Sequence, residues 1–135
     1  MISRDAAAAA RIVVQPWDTA RHIAISPGDV FPEVFATVRM IGLMEVAAAR
    51  LLQPHCAEGE MSVGVGVTIR HTAPTPVGSM VRAVATYLGQ EGKLFRFRVE
   101  AYDDGGLIGE GEHTRAIVMV DRLMKGAKAR HEAAA

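Results

Sequence analysis

From Met61 to His71 the chain alternates, with Val63, Val65, Val67 and Ile69 on one side and Ser62, Gly64, Gly66, Thr68 and Arg70 on the other. A period of two predicts a half-buried strand, and it carries His71 onto the apolar side. Met80 to Leu88 reads as a second strand. Leu94 to Tyr102 reads as a third, alternating Phe95, Phe97, Val99 and Ala101 with Arg96, Arg98, Glu100 and Tyr102, and Ile108 to Val120 as a long fourth. Gly89-Gln90-Glu91-Gly92 and Asp103-Asp104-Gly105-Gly106 are hairpin turn signals, and Thr72 to Gly78 is a longer connection.

Upstream the period changes. Val38 to Gln53 predicts one long helix, with Thr37 as its N-cap and Pro54 as its stop. Arg39, Glu45 and Arg50 are its only charges, so it is apolar nearly all round and belongs in an interior. Two β-prone runs precede it, Ile12-Val13-Val14 and His22-Ile23-Ala24-Ile25. Between them and the helix come the turn Ser26-Pro27-Gly28-Asp29 and a loop carrying Phe31 and Phe35. Short strands, one helix and four more strands make an α+β fold in which a curved antiparallel sheet wraps a central helix. One sheet cannot cover a helix on every side, so a second copy of the chain is expected to close the remainder.

Composition narrows the class. A length of 135 residues fits one domain, and 15 Lys+Arg against 15 Asp+Glu give no electrostatic footprint for nucleic acid or an anionic membrane. The lone Cys56 excludes an intrachain disulfide and a multi-cysteine zinc site. No run approaches the roughly 18 apolar residues of a membrane span. Ala6 to Ala10, bracketed by Asp5 and Arg11, does not make a secretory signal, so a cytoplasmic protein is expected. Residues 1–10 and 125–135 read as flexible tails around a domain at 11–124, residues 1–10 alternatively as a short helix.

Glu45 is the most informative side chain. Its helical neighbours Ile41, Gly42, Ala48 and Ala49 cannot pair with a carboxylate, so it either lies on a wet stripe or needs a partner from elsewhere. His71, at the end of a row expected to face the helix, could meet it. Thr37 stands where a helix start offers free N–H groups to an oxyanion. Gly64 and Gly66 interrupt a strand, as a bulge or a close approach would. Arg115, beside His113, is either a solvated strand residue or a cation that reaches a ligand. The five histidines lack metal-ligand spacing, so no metal site is expected.

Phe31-Pro32-Glu33-Val34-Phe35-Ala36-Thr37, Gly42-Leu43-Met44-Glu45, Ser62-Val63-Gly64 and His71-Thr72-Ala73-Pro74-Thr75-Pro76-Val77-Gly78 together resemble the fluoroacetyl-CoA thioesterase family, from about His22 to Asp121. The resemblance implies a hot-dog fold and acyl-CoA hydrolysis by Thr37, Glu45 and His71. It implies a carbonyl-polarising glycine at Gly64, a lid phenylalanine at Phe31 with Phe35 in the same substrate-binding set, and a pocket arginine at Arg115. It also implies a site at a dimer interface, so the expected partners are an acyl-CoA and a second copy, as a homodimer or higher oligomer. Coenzyme A is part of the substrate, and no other cofactor is implied. Glu45 would attack the thioester itself or activate water. The family's lid carries another aromatic where this chain has Pro27-Gly28-Asp29, so the resemblance reaches short-chain hydrolysis more firmly than fluoroacetyl selectivity. The alternatives are a non-catalytic acyl binder on the same fold and, less favoured, a hot-dog hydratase, whose Asp-x4-His arrangement is missing before Val38.

Overall fold

The N-terminal alanines depart first from the sequence reading. In the computed structural model, which describes residues 2–134, they are neither a tail nor a helix: Ala7–Val13 form strand β1. Alanine is a poor strand former, but tertiary pairing overrides that preference. Ala7 to Val13 pair antiparallel with Thr86 to Met80, and the small side chains of Ala8 and Ala10 let the central helix approach. That helix, α1, spans Thr37–Leu52, and Arg50 Nη1 donates to the Ala9 carbonyl, 3.0 Å away. The other run expected as a strand, His22 to Ile25, does not join the sheet. Ala20–Ile23 instead form a 3-10 turn in which the His22 N–H donates to the Thr19 carbonyl.

The remaining strands are β2 (Glu60–His71), β3 (Met80–Glu91), β4 (Leu94–Asp103) and β5 (Gly106–Met119). One antiparallel sheet holds all five in the order β1-β3-β4-β5-β2, and every strand touches α1. The hairpin turns are tighter than expected. β3 runs through Gly89, which sits at a bulge with φ 124°, and the turn proper is Gly92-Lys93. The expected C-terminal tail is a second helix, α2 (Val120–Ala134), none of it buried. Met1 and Ala135 lie outside the described residues.

α1 buries Met40, Leu43, Met44, Ala47, Ala48, Leu51 and Leu52 against the sheet. Val81, Ala83, Ala85, Phe97, Val99, Ala101 and Ile108 meet them from β3, β4 and β5. Part of its other side is uncovered by this chain, where Val38 and Val46 are exposed. The helix start is anchored by Asp18, which is 3% exposed. Its carboxylate accepts from Arg39 Nε and Nη2 at 3.0 and 2.8 Å and from the Gln15 N–H at 2.9 Å, and its carbonyl accepts the Ala36 N–H at 2.9 Å. Among the described residues no helix is long and apolar enough to cross a membrane.

Alternation along β2 is broken by one extra residue. The register with β5 shifts between Gly64 and Gly66, so Val65 bulges out with 55% of its surface exposed. Before the bulge Ser62 and Gly64 face α1; after it Ile69 and His71 do. The expectation that Val63, Val65, Val67, Ile69 and His71 share one face is therefore corrected, because a bulge reverses side-chain parity. On β5, Gly109 lets α1 come close: a Cβ there would lie 2.6 Å from Met40 Sδ and 2.8 Å from the Arg70 carbonyl oxygen. Gly109→Ala should cost about 1–3 kcal/mol of stability. An unchanged urea midpoint would contradict this packing.

Candidate functional site

Two polar clusters lie along α1. The first is at its N-terminus. Ala36, not Thr37, is the N-cap, and it offers no side-chain cap, so the opening N–H groups of the helix have no side-chain acceptor there. Thr37, one residue further on, turns its hydroxyl outward to His71 Nδ1 at 2.8 Å. The other ring nitrogen, His71 Nε2, is buried without a hydrogen-bond partner. Burial pushes the His71 pKa below its ordinary value, partly offset by the Ala73 backbone. A cleft of about 340 Å³ opens here, lined by Pro32, Val34, Phe35, Thr37 and His71 among others. Phe35 is 1% exposed and forms wall rather than lid, whereas Phe31 is 42% exposed on the loop above.

The second cluster sits two turns further along, at Glu45. Its partner arrives from seventy residues away: Arg115 Nη1 donates to Glu45 Oε2 at 3.0 Å. Arg115 is only 6% exposed, and a buried guanidinium is tolerable only when its donors are used. Nε donates to Ser62 Oγ and Nη2 to the Ser62 carbonyl, both at 3.0 Å, while Nη1 also reaches His113 Nε2 at 3.1 Å. Gly64 faces the carboxylate so closely that a Cβ there would lie 2.5 Å from Glu45 Oε2. Glu45, Gly64, Val65, Gly66, Val67 and His113 line a cleft of about 310 Å³.

The structure therefore joins Thr37 to His71, and Glu45 to Gly64 and Arg115. It does not join Thr37 to Glu45 within one chain, since eight helical residues put their backbones about 12 Å apart. His113 and Ser62 are additional site residues. His113 shares a strand face with Arg115, and two adjoining polar residues on the core side of β5 were the available signal. Ser62 was hidden by the parity reversal. Several arginines outside the two clusters are engaged within the chain: Arg39 with Asp18, Arg96 with Glu112, Arg98 with Glu100 and Glu110, and Arg82 over the Tyr102 ring.

Residues 14–121 match the fluoroacetyl-CoA-specific thioesterase family. A fluoroacetyl-CoA thioesterase from Streptantibioticus cattleyicolor is 40% identical over 113 residues, covering 82% of this chain and 81% of that protein. The structure of the fluoroacetyl-CoA thioesterase FlK superposes with a TM-score of 0.89 at 38% identity, over 97% of both chains. A thioesterase superfamily member from Thermus thermophilus does so at 0.87 and 36%, over 98% of both. A hot-dog-like protein from Thermanaerovibrio acidaminovorans, 24% identical over 94% of this chain and 91% of its own, shares the fold with a TM-score of 0.80. With the family match spanning nearly the whole folded domain, the chain belongs to the fluoroacetyl-CoA-specific thioesterase family and has the hot-dog fold.

Proposed function

We propose that the protein is a cytoplasmic acyl-CoA thioesterase for short acyl groups, that it works as a homodimer, and that each site combines Glu45 of one protomer with Thr37 and His71 of the partner subunit. The observation that carries this reading is the Glu45 carboxylate. It is held at Oε2 by a buried arginine and faces a backbone stripped of its Cβ at Gly64, which leaves Oε1 free for chemistry.

Hydrolysis converts the thioester and water into a carboxylic acid and the coenzyme A thiol, and it needs no further cofactor. Glu45 attacks the carbonyl carbon or takes a proton from the attacking water. The carbonyl oxygen gains negative charge in either case, and the uncapped N–H groups at the start of α1 and the backbone at Gly64 are the donors available to it. His71, kept neutral by burial and oriented by the Thr37 hydroxyl, has Nε2 free to take the proton that the water gives up and pass it to the leaving thiolate. Thr37 thus orients the imidazole. The clefts of about 310 and 340 Å³ suit a short acyl group.

Assembly across two chains is supported by three features. Thr37 and Glu45 are about 12 Å apart on one helix, too far to act on one carbonyl together. Val65 and Val67 are exposed at the Glu45 cleft, and Val38 and Val46 are exposed on α1. β2 is a twelve-residue edge strand with one side unpaired. A two-fold pairing that runs the helices in opposite directions sets the start of one α1 against the middle of the other.

Glu45→Gln should lower kcat on acetyl-, propionyl- and fluoroacetyl-CoA at least about 100-fold while the chain stays folded, its amide oxygen still accepting from Arg115. Free thiol released at the wild-type rate would defeat the thioesterase assignment, leaving an acyl binder. Glu45→Gln and His71→Ala chains, each inactive alone, should recover about a quarter of wild-type activity when co-expressed, because half of the random dimers keep one intact site. A site contained in one chain would recover nothing. The lowered His71 pKa means the folded protein binds that proton more weakly than the unfolded chain does. Activity should therefore hold through neutral pH and fall only below the ordinary value of 6.5, and the stability contribution should be lost over the same acid range. An activity loss above pH 7 that disappears in His71→Asn would contradict this.

A further inference from the structure

β5 turns two polar side chains, His113 and Arg115, towards α1, and both are almost wholly buried, at 3% and 6% exposure. The hydrogen-bonding role of each His113 nitrogen follows from its partner. The Gly66 carbonyl, 2.7 Å from Nδ1, can only accept, so Nδ1 carries a hydrogen. Arg115 Nη1, 3.1 Å from Nε2, can only donate, so Nε2 presents its lone pair. A neutral ring with the proton on Nδ1 satisfies both contacts, whereas a protonated ring would set N–H against N–H at the guanidinium. His113 thus ties two parts of the site together. One is Gly66, which closes the bulge behind Gly64; the other is Arg115, whose Nη1 also holds Glu45 Oε2.

We propose that His113 is a positioning residue: as a neutral Nδ1–H imidazole it aims the Nη1 edge of Arg115, and through it holds the Glu45 carboxylate in the orientation that thioester hydrolysis requires. The inference rests on the reading of Glu45 as the group that acts on the thioester. Ser62 fixes the Nε and Nη2 edge of the fork. Nη1 is shared between an anchored acceptor, His113, and a carboxylate on a side chain that is 42% exposed and free to swing. The anchored acceptor sets the direction, and the carboxylate follows it.

Two isosteric variants separate this role from simple support of the bulge. His113→Gln places an amide oxygen near the Nε2 position, where it accepts from Arg115, but gives up the bond to Gly66. His113→Asn keeps an N–H for Gly66 but offers Arg115 nothing. With a short acyl-CoA as substrate, His113→Asn should lose about 10- to 100-fold in kcat, the range expected for one hydrogen bond to a charged group. Its KM should stay within about threefold, as for a loss of transition-state stabilisation, and His113→Gln should stay within about threefold of wild-type kcat. The reverse pattern, activity kept by Asn and lost by Gln, would overturn the proposal, because the bulge would then be all that His113 holds. In an Arg115→Met background, His113→Asn should bring no further loss, and an additive loss would count against action through Arg115. Imidazole 15N shifts of the unaltered protein should show one histidine in the Nδ1–H form at neutral pH. A His113 ring with its proton on Nε2, or on both nitrogens, would also overturn the assignment. Full activity in Glu45→Gln would instead remove the thioesterase reading, a different outcome from any of these.

Discussion

The site depends on one extra residue in β2. The bulge at Gly64–Gly66 reverses the alternation of an edge strand partway along its length. Ser62 and Gly64 therefore face the helix from one half of the strand, and Ile69 and His71 face it from the other. Without the bulge, a strand that points His71 at Thr37 would turn Ser62 and Gly64 away. Arg115 would lose the hydroxyl that anchors Nε, and a valine would stand where Glu45 now meets a bare backbone. Bulges commonly re-aim side chains in this way beside active sites. Here the distortion is held by a specific bond, from the His113 imidazole to the Gly66 carbonyl.

Around that distortion the protein keeps an arginine almost fully buried, at a cost that only complete pairing offsets. Ser62, His113 and Glu45 take four contacts from the fork, and its planar shape makes such a set possible where a lysine could not reproduce it. The arrangement fixes a carboxylate midway along a largely apolar helix. The Thr37–His71 pair is simpler, a single hydrogen bond beside an uncapped helix start. On the two-chain reading proposed above, the partner copy that completes each cluster would also cover the exposed Val38 and Val46 of α1.

Much of the fold was legible in the sequence because its signals are local. The all-round apolarity of Val38 to Gln53, the alternation from Leu94 to Tyr102 and the glycine-rich turns each describe a few neighbouring residues, and each appears in the structure. The resemblance carried in Phe31 to Thr37 and His71 to Gly78 led to the family. Readings failed where a distant partner decided the outcome. Alanines 7 to 10 became a strand by pairing with the edge of β3, whereas His22 to Ile25 turn their backbone bonds inward to Thr19 and Arg21. Thr37 gave up the capping role because Ala36 is the first residue outside the helix and His71 takes its hydroxyl.

By itself the sequence determined a central helix under an antiparallel sheet, and which polar residue types stand among its apolar positions. These follow from periodicity and side-chain identity, which every stretch of chain displays locally. Only the tertiary structure decided which of those residues meet. Pairing Glu45 with Arg115 across seventy residues and turning Ser62 inward by a parity reversal both depend on strand register. Register is set by contacts between segments far apart in the chain, and a shift of one residue exchanges the two faces of a strand.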